Sequence, residues 1–486
     1  MASEPRERSE PAKRRARERV GESEGRSPSG EIVNVVIIGG GITGLAAAFE
    51  LAQRQIPFTL FEASSRLGGL IRTEQVDGFT IEAGPDSVLV QKPAALQLCD
   101  ELGLGPRVIS STPPRTAYVL KAGTLYPLPS PSILGIPLTW RGIAGYDLLP
   151  PLARLRLAME PLVRSVASDE DESVASFFRR RFGPATVDLI AEPLLGGIHA
   201  GRIDALSIRS LFPRLAEAER RRGVLLGFRR TRPSAGVDGL FKSLSSGMGE
   251  LVTAIEHRLP AGTVHLESRV TSLSSADRRW TIAFAGGKTT ADAVILACPA
   301  HAAAALLSRV DDESSAICAE VPYVSTASVA LGWPKTQVRH DLAGSGFVVA
   351  RAHNSLRITA CTWVSSKWAG RAPSGHVLLR AFVGSAMDPD AVDLIDSDLV
   401  DIVARDVGSV LGIDGPPIIA RVNRWRHAGA QHNVGQLARI ARLEDRLRSF
   451  PGLFVAGSGF RSVGIPDCVA DGRAAAGAAV QYARVS

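Results

Sequence analysis

Short apolar runs, each bounded by glycine, proline or polar residues, recur along this chain and predict buried strands. Four of them are 34–38 (NVVII), 57–61 (PFTLF), 294–297 (VILA) and 453–456 (LFVA). After the first run, apolar residues return at helical intervals from Leu45 to Ala52, so a helix follows that strand directly. A strand followed at once by a helix, with further short strands later in the chain, predicts an α/β fold.

Three glycines join the first predicted strand to this helix. Gly39, Gly41 and Gly44 have the Gly-x-Gly-x-x-Gly spacing at the point where strand gives way to helix. The first permits a tight turn, the second lets the backbone approach a pyrophosphate, and the third allows close contact between helix and strand. The helix start also offers N–H groups and a positive dipole end to phosphates. The predicted phosphate-binding turn comprises Gly39, Gly40, Gly41, Ile42, Thr43 and Gly44.

A carboxylate and a second glycine pair follow the next predicted strand. Glu62 ends that strand and is placed to accept hydrogen bonds from a ribose diol. Ala63 and Arg66 come next, and then Gly68 and Gly69. A guanidinium and paired glycines in this position let the chain wrap a cofactor longer than NAD. The Arg-x-Gly-Gly arrangement resembles the flavin amine oxidase and desaturase superfamily, which implies FAD.

The C-terminal region predicts a second contact with the same cofactor. Gly457 follows the last apolar run, and Val463, Gly464 and Ile465 lead into a helix rich in small residues. Pro466 suits the first turn of that helix. A helix that begins here can direct its positive end at a flavin ring, whose reduced form carries negative charge. Both ends of the foldable chain are therefore expected to meet at one flavin.

Longer stretches resemble the protoporphyrinogen oxidase family, including its bacterial branch that oxidises coproporphyrinogen III. The most specific matches are 82–87 (EAGPDS) with 91–92 (QK), and 463–468 (VGIPDC). Further matches are 173–182 (SVASFFRRRF), 191–200 (AEPLLGGIHA), 206–209 (LSIR), 212–213 (FP), 293–300 (AVILACPA) and 375–382 (GHVLLRAF). The resemblance covers nearly everything from about residue 33 to the end.

This resemblance implies an enzyme that binds FAD noncovalently and oxidises a porphyrinogen to a porphyrin with molecular oxygen. Six electrons leave the substrate in three rounds of two, giving three molecules of hydrogen peroxide. The implied fold is mixed α/β, with a Rossmann-like FAD domain, a substrate domain on a mixed sheet and a helical part that can touch a membrane. The expected division is a disordered tail (1–30), a discontinuous FAD domain (31–115, 236–310 and 415–486), the helical part (116–235) and the substrate-binding sheet (311–414).

Candidate residues at the reacting centre are carried over from the matched motifs. Gly84, Pro85, Asp86 and Ser87 are expected to bind the cofactor, and Asp86 to help form the wall between flavin and substrate. Lys92 is expected to meet a propionate or to support that wall. We expect no catalytic triad, because hydride loss to a flavin asks the protein mainly to hold the macrocycle in place.

Other candidates are more scattered along the chain. Arg115 precedes a predicted strand and is a second residue that could meet a propionate. Val270 matches a family position that meets the adenine through its backbone, and Trp425 matches a tryptophan near the flavin. Phe347 and Leu378 could contact the macrocycle, although core packing is the simpler role for each.

Just after Trp425 the chain departs from the family pattern. The pattern has a Gln-Tyr pair followed later by Gly-His, whereas this chain has Gln431-His432 and Gly435-Gln436. His432 therefore stands in the place of the tyrosine, and the downstream histidine is replaced by Gln436. Roles assigned to those two positions do not transfer to this chain.

Charge narrows the choice of partners. The net charge is +7 and the pI about 9.4, which favours an acidic partner such as a carboxylate substrate, an anionic membrane or nucleic acid. The arginine clusters 220–222 and 229–230 come with no nucleic-acid recognition motif, so no nucleic acid is expected. The segment 148–166 has apolar residues at helical spacing with arginines between them; it could lie on a membrane or face the core.

Cysteine usage and the N-terminal segment point to the cytoplasm. The five cysteines, Cys99, Cys298, Cys318, Cys361 and Cys468, are widely spaced, so neither a disulfide framework nor a metal site is expected. Residues 1–30 have no apolar core of a secretory signal and many glutamates, unlike a mitochondrial transit peptide. Peripheral contact with a membrane and a homodimer are left open.

Three other interpretations share the flavin fold. An amine oxidase would need an aromatic cage before the flavin, for which only Trp425 offers itself. The EAGPDS and VGIPDC stretches disfavour a carotenoid desaturase. A non-catalytic flavin-binding protein is a third possibility, which the intact glycine turn argues against.

Overall fold

The computed structural model describes residues 33–165, 170–230, 239–461 and 463–485 of the 486-residue chain. The predicted tail 1–30 lies outside these residues, as do the side chains at 222, 229 and 230 in the two predicted arginine clusters. The described part contains a parallel sheet, a mixed sheet and a helical region (residues 140–230), and these confirm the predicted mixed α/β architecture.

A five-stranded parallel sheet forms the first part of the molecule. In spatial order its strands are Val264–His265, Phe58–Phe61, Val35–Ile38, Ala293–Leu296 and Leu453–Val455. All four strands predicted from apolar runs belong to it, within one residue of the expected bounds at each end. The central strand is buried on both faces, because Val35 and Ile37 point to one hydrophobic cluster whereas Val36 and Ile38 point to another.

Helices cover both faces of this sheet, as its two-sided burial requires. On the Val35 and Ile37 side lie Ile42–Gln53, Ala94–Glu101, Gly249–Glu256 and Ile465–Val485. On the other side lie Ala300–Leu307, Asp312–Ala319 and Gln436–Leu447, with a three-stranded antiparallel sheet of Val270–Ala276, Arg279–Phe284 and Gly287–Ala291. The sheet and these helices, called here the parallel-sheet body, are therefore assembled from segments along the whole chain.

A seven-stranded mixed sheet forms the second part. In spatial order its strands are Ile419–Ala430, Tyr323–Pro334, His376–Val383, Ala360–Trp363, Gly346–Val349, Ala117–Lys121 and Thr124–Pro127. One face packs on the helix Asp396–Leu411, and the other packs on the strand Phe79–Glu82 through Ala330, Leu378 and Ile419. The connections that follow four of its strands contain short helical turns at Lys335–Gln337, Arg351–His353, Val364–Lys367 and Pro389–Asp393.

Smaller strand pairs connect the parts. Thr73–Val76 pairs with Phe79–Glu82, and Ser132–Ile133 pairs with Ile136–Pro137. Val88–Leu89, Phe241–Leu244 and Val108–Ser110 form a three-stranded sheet, with the turn Gly105–Arg107 before the last. The predicted segment 116–235 begins with two strands of the mixed sheet, and its helices start at Trp140. The division into domains stays a prediction.

The helical region has its own hydrophobic cluster, built around Phe177, Phe178 and Phe182. Its elements are Trp140–Ala144, Pro151–Ala158, Glu160–Leu162, Val174–Phe182, Pro184–Thr186, Val187–Gly196, Gly197–His199, Ile208–Leu211, Pro213–Arg222 and Val224–Arg230. Val187–Gly196 has wide π-helical turns, and Pro193 inside it cannot donate a backbone hydrogen bond. Arg181 of the helix Val174–Phe182 forms a fully buried ion pair with Glu160 of the turn Glu160–Leu162.

The predicted amphipathic segment 148–166 is broken into the helix Pro151–Ala158 and the turn Glu160–Leu162. Leu148, Leu149 and Leu157 are buried, whereas Leu152, Leu155 and Leu162 are 81%, 59% and 79% exposed. The segment therefore packs one face on the core and presents leucines outward. In the ranges that the structure describes, none of the helices combines the length and the apolar character needed to span a bilayer.

Candidate functional site

The glycine turn after the central strand has the compact geometry that its sequence predicts. A Cβ atom on Gly44 would lie 1.9 Å from the carbonyl oxygen of Gly39, so only glycine fits there. Gly39 itself has a φ of +112°, which disfavours any other residue. A Cβ on Gly41, in contrast, would meet no protein atom within 4 Å. The space in front of the helix Ile42–Gln53 is therefore open, as a bound phosphate requires.

Glu62 and the loop after it close one side of this space. The Glu62 carboxylate accepts hydrogen bonds from the N–H of Gly40 at 2.7 Å and from the N–H and hydroxyl of Ser64 at 2.8 and 2.7 Å. These bonds fix the carboxylate next to the glycine turn, where the ribose was predicted. Gly68 donates its N–H to Gly40 at 2.8 Å, so the second glycine pair lies directly against the first.

Arg66 is hydrogen-bonded to the backbone of its own loop. Its guanidinium donates to the carbonyl oxygens of Leu67 at 3.0 Å, Ile71 at 3.1 Å and Gly69 at 2.5 Å. Burial lowers the pKa of Arg66, and the neighbouring Arg72 lowers it further. The guanidinium therefore organises the glycine loop itself, and contact with a cofactor phosphate stays a prediction.

The backbone from Glu82 to Gly84 is held by three side chains of the mixed sheet. Arg380 donates to the carbonyl oxygens of Glu82 at 2.8 Å and Gly84 at 2.7 Å. Trp425 donates its indole N–H to the carbonyl of Ala83 at 2.8 Å, and Ser328 donates its hydroxyl to the same oxygen at 2.9 Å. This places Trp425 beside the Gly84-Pro85 segment, where the predicted flavin ring would lie.

Asp86 has buried cationic partners on the mixed-sheet side. Its carboxylate lies 3.1 Å from the ammonium of Lys367 and 3.4 Å from the guanidinium of Arg380, and it accepts the indole N–H of Trp368 at 3.2 Å. Burial alone raises the pKa of Asp86, but Lys367, Arg380 and Ser87 together hold it well below its usual range. Asp86 therefore anchors this segment as an anion, and direct contact with substrate stays a prediction.

Sequence reasoning missed these anchoring residues. Arg380 lies within the matched stretch GHVLLRAF, and a charge in an otherwise apolar strand is a signal for a buried ion pair. Trp425 was predicted. It donates to the carbonyl of Ala83, next to the Gly84 carbonyl that accepts from Arg380. Lys367 ends the short helical turn Val364–Lys367 and Trp368 follows it; neither belongs to a motif, so nothing in the sequence marked them.

The C-terminal turn lies at the end of the parallel-sheet strand Leu453–Val455. Gly457 has a φ of +114°, and it donates its N–H to the carboxylate of Asp471 at 2.7 Å. The helix Ile465–Val485 begins with Pro466 in its first turn, as predicted, and Gly464 before it has a φ of +90°. The helix packs on Ile42–Gln53 so closely that a Cβ on Gly472 would lie 2.1 Å from the carbonyl of Thr43.

An ion pair joins the two most specific motifs. The ammonium of Lys92 lies 2.5 Å from the carboxylate of Asp467, which is in the first turn of the C-terminal helix. The Lys92 side chain is still 47% exposed, so this ion pair lies at the protein surface. Two stretches 375 positions apart therefore meet at one point of the molecule.

The other candidates lie at separate places. Val270 begins the strand Val270–Ala276. It lies near Glu62, because the backbone N–H of Ser268, two residues earlier, donates to the backbone carbonyl of Glu62 at 2.9 Å. Arg115 is exposed and its guanidinium folds back on the carbonyl of Ser111 at 2.9 Å. Phe347 and Leu378 are 3% and 1% exposed within hydrophobic clusters, so they pack the core.

The residues present fit an FAD-sized group. The open glycine turn offers backbone N–H groups for a pyrophosphate, and the fixed Glu62 carboxylate offers acceptors for a ribose. Contact of the flavin ring with the Gly84 and Gly464 segments stays a prediction. Burial raises the pKa of the neighbouring Cys298 thiol to about 12 and that of Cys468 to about 11. Neither thiol is therefore a thiolate near neutral pH, which leaves no cysteine nucleophile among the described residues beside the glycine turn.

Comparison with known proteins agrees with this geometry. The profile of the family described as flavin containing amine oxidoreductase matches residues 42–480. The coproporphyrinogen III oxidase of Bacillus subtilis (strain 168) is 40% identical over 465 residues, covering 92% of this chain and 98% of that protein. The coproporphyrinogen III oxidase of Staphylococcus aureus (strain NCTC 8325 / PS 47) is 33% identical over 461 residues, with 91% and 98% covered.

A solved structure gives the same result for the fold. The crystal structure of a candidate protoporphyrinogen oxidase from Exiguobacterium sp. 255-15 superposes with a TM-score of 0.83 at 32% identity, covering 94% of this chain and all of that one. The similarity therefore extends over the parallel-sheet body, the mixed sheet and the helical region together. On this full-length agreement, the chain belongs to the flavin-containing amine oxidoreductase family.

Proposed function

We propose that this protein is an FAD-dependent oxidase that converts a porphyrinogen, specifically coproporphyrinogen III, to the porphyrin in haem biosynthesis. The name of the Bacillus subtilis relative, 40% identical over nearly its whole length, supports the choice of substrate. The observation that carries the proposal is the Lys92–Asp467 ion pair, which joins the EAGPDS–QK and VGIPDC stretches. The family resemblance rests on both of these stretches.

The reaction balances as coproporphyrinogen III plus three O₂ giving coproporphyrin III plus three H₂O₂. FAD, when bound, supplies the two-electron acceptor that molecular oxygen can reoxidise. The chain holds the cofactor noncovalently through the glycine turn, Glu62 and the C-terminal helix start. Arg380, Trp425 and Ser328 keep the 82–86 segment rigid, so the substrate meets a fixed wall.

Basic side chains at this wall suit a substrate with several carboxylates. Lys92 keeps half of its surface exposed, and Arg214 donates to the side-chain carbonyl of the adjacent Gln91 at 2.7 Å. Lys92 lies on the segment that follows Ser87, and Arg214 reaches this segment from the helix Pro213–Arg222. Both cations can pair with propionates by charge-assisted hydrogen bonds. Arg115 is the weaker candidate, because its Nε is already bonded to Ser111.

The domain roles follow from the same proposal. The parallel-sheet body would bind FAD, and the mixed sheet with the helical region would hold the macrocycle. We place the enzyme in the cytoplasm, because its five cysteines are unpaired and three of them, Cys99, Cys318 and Cys361, are buried in the core clusters.

We further propose peripheral contact with an anionic membrane through the outward leucines of the helical region. Leu152 and Leu162 are each about four-fifths exposed, and the exposed Arg141 and Arg164 flank the same segment. An apolar face bordered by arginines suits an acidic lipid surface. The Leu152→Glu/Leu162→Glu variant should lose co-sedimentation with vesicles of phosphatidylglycerol and phosphatidylcholine, whereas Ile395→Glu, at another exposed apolar position, should keep it. Equal binding by both would contradict this contact.

Aerobic steady-state oxidation of coproporphyrinogen III and protoporphyrinogen IX by the flavin-loaded protein tests the main proposal. Porphyrin fluorescence gives the rate and a coupled assay gives peroxide. We expect a higher kcat/KM for coproporphyrinogen III and three peroxides per porphyrin. A preference for protoporphyrinogen IX would overturn the substrate assignment. If a yellow, folded protein oxidises neither compound but oxidises amines, the amine oxidase interpretation replaces this one.

A further inference from the structure

The imidazole of His432 bridges two parts of the molecule. Its Nδ1 lies 3.0 Å from the hydroxyl of Ser210 in the helical region, and its Nε2 lies 2.9 Å from the carbonyl oxygen of Ser458. A carbonyl oxygen can only accept, so Nε2 carries the proton and Nδ1 accepts from the Ser210 hydroxyl. The side chain is almost fully buried. Both nitrogens of this ring are therefore used.

Gln436 reaches the next two residues of the same turn. Its side-chain amide N–H groups point at the carbonyl oxygens of Gly459 at 3.4 Å and Phe460 at 3.1 Å. Its own carbonyl oxygen accepts from the guanidinium of Arg439 at 2.8 Å, which orients the amide. Gln436 is 1% exposed and opens the helix Gln436–Leu447.

The two residues that depart from the family pattern therefore hold three consecutive carbonyl groups, those of Ser458, Gly459 and Phe460. This turn follows the strand Leu453–Val455 and leads to the start of the C-terminal helix. We propose that His432 and Gln436 are positioning residues that clamp this turn and so set the affinity for the flavin. The inference rests on the proposed function, because it takes Gly457 and residues 463–465 to be part of the FAD site.

The clamp also connects the flavin turn to the helical region. The backbone carbonyl of His432 accepts the N–H of Ser207 at 2.8 Å, in addition to the ring contact with Ser210. Ser207 caps the helix Ile208–Leu211 by accepting the N–H of Ser210. Flavin binding that orders the turn is therefore coupled through His432 to the packing of this helix.

Amide variants separate the two ring contacts. In His432→Gln the side-chain nitrogen can take the place of Nε2 and donate to Ser458, whereas in His432→Asn it can reach only the Nδ1 position, toward Ser210. Gln436→Leu removes the second half of the clamp with little change in volume. Trp333→Phe is the matched control. Trp333 lies near the end of the strand Tyr323–Pro334, and its ring N–H donates to the carbonyl of Gly415, which is not part of the clamp.

The FAD dissociation constant, from flavin fluorescence on titrating the apoprotein, is the first readout. Hydrogen exchange of residues 456–461 in the apoprotein is the second, and it does not depend on activity. We expect the dissociation constant to rise about tenfold in His432→Asn and in Gln436→Leu, with faster exchange of the turn. His432→Gln and Trp333→Phe should stay within about twofold of the wild type.

Unchanged dissociation constants in both His432→Asn and Gln436→Leu, with a wild-type protein that binds FAD, would overturn the clamp alone. An equal loss in His432→Gln and His432→Asn would also contradict it, because the bond to Ser458 would then be irrelevant. A wild-type protein that binds no FAD would instead refute the proposed function, and the clamp's link to the flavin with it.

Discussion

Trp425 donates its indole N–H to the carbonyl oxygen of Ala83 at 2.8 Å, although 342 positions of sequence separate the two residues. The same oxygen accepts the hydroxyl of Ser328 at 2.9 Å, so it has two donors from neighbouring strands of the mixed sheet. Ala83 lies directly before the Gly84-Pro85 segment. The mixed sheet therefore determines where that segment stands relative to the parallel-sheet body.

Removal of these two donors should be non-additive. Trp425→Phe and Ser328→Ala should each lower the free energy of unfolding by about 1 kcal/mol, because the other donor still satisfies Ala83. The double variant leaves a buried carbonyl unpaired and should lose more than the sum of the two. Urea denaturation of the four proteins measures the coupling. Strict additivity would mean that the two donors do not share one acceptor in solution.

Two glycines of the phosphate-binding turn should respond differently to alanine. Gly41→Ala adds a methyl group that meets no protein atom within 4 Å, so the apoprotein should keep its melting temperature. That methyl occupies the space expected for the pyrophosphate, and FAD affinity should fall at least about tenfold. Gly44→Ala places a methyl 1.9 Å from the carbonyl of Gly39 and should destabilise the apoprotein as well.

Thermal melting of both apoproteins and FAD titration check this pair. A Gly41→Ala protein that binds FAD like the wild type would show that the cofactor does not approach the turn at Gly41. A Gly44→Ala protein with an unchanged melting temperature would contradict the close contact between helix and strand.

Asp86→Asn should be strongly destabilising. It removes the anion that faces Lys367 and Arg380, whose side chains are 15% and 5% exposed, and leaves two buried cations without their counter-charge. The expected loss is about 3–5 kcal/mol in the free energy of unfolding. Asp414→Asn breaks the exposed ion pair with Arg339 and should cost under about 1 kcal/mol. Similar losses in the two variants, by denaturant titration, would contradict the burial assigned to Asp86.

Acidification should weaken the fold through two neighbouring histidines. Burial lowers the pKa of His199 to about 4, with smaller contributions from His432 and Lys92, and burial also lowers the pKa of His432. The unfolded chain binds protons at these positions near pH 6.5, whereas the folded protein does not. The free energy of unfolding should therefore fall as the pH drops from about 7 to 5, by about 1–2 kcal/mol for His199.

The slope of that pH dependence is the quantity to measure. His199→Asn should flatten it, because the variant has no group to titrate at this position. His257→Gln, which replaces an exposed histidine beyond the helix Gly249–Glu256, serves as the control. A pH dependence that is the same in His199→Asn and the wild type would contradict the assignment.

The local part of this architecture follows from the sequence, because short-range geometry determines it. Apolar runs of four or five residues predicted four of the five parallel strands, and the glycine spacing predicted the turn whose tight contact at Gly44 permits nothing larger. Pro466 was likewise expected in the first turn of the C-terminal helix and lies there. Each of these features depends on residues within a few positions of one another.

Contacts between distant segments could not be predicted in the same way. The partner of Asp86 is Lys367, 281 positions away, and neither spacing nor composition relates the two. A strand was predicted after Arg115, but its place in the mixed sheet, where Ala117–Lys121 pairs with Gly346–Val349 and Thr124–Pro127, was not, because strand partners depend on the tertiary fold. Arg66 was expected to help wrap the cofactor, which stays a prediction; its hydrogen bonds to three carbonyls of its own loop were not predicted.

The spatial order of the parallel sheet also has a consequence for biosynthesis. Of the five strands of this sheet, Val35–Ile38 is made first and lies between Phe58–Phe61 and Ala293–Leu296, and the edge strand Leu453–Val455 is made last. A nascent chain therefore carries an apolar central strand without one of its neighbours for more than two hundred residues of synthesis. The helix Ile465–Val485, which packs on Ile42–Gln53, is made later than all five strands, so its docking must be a late folding step.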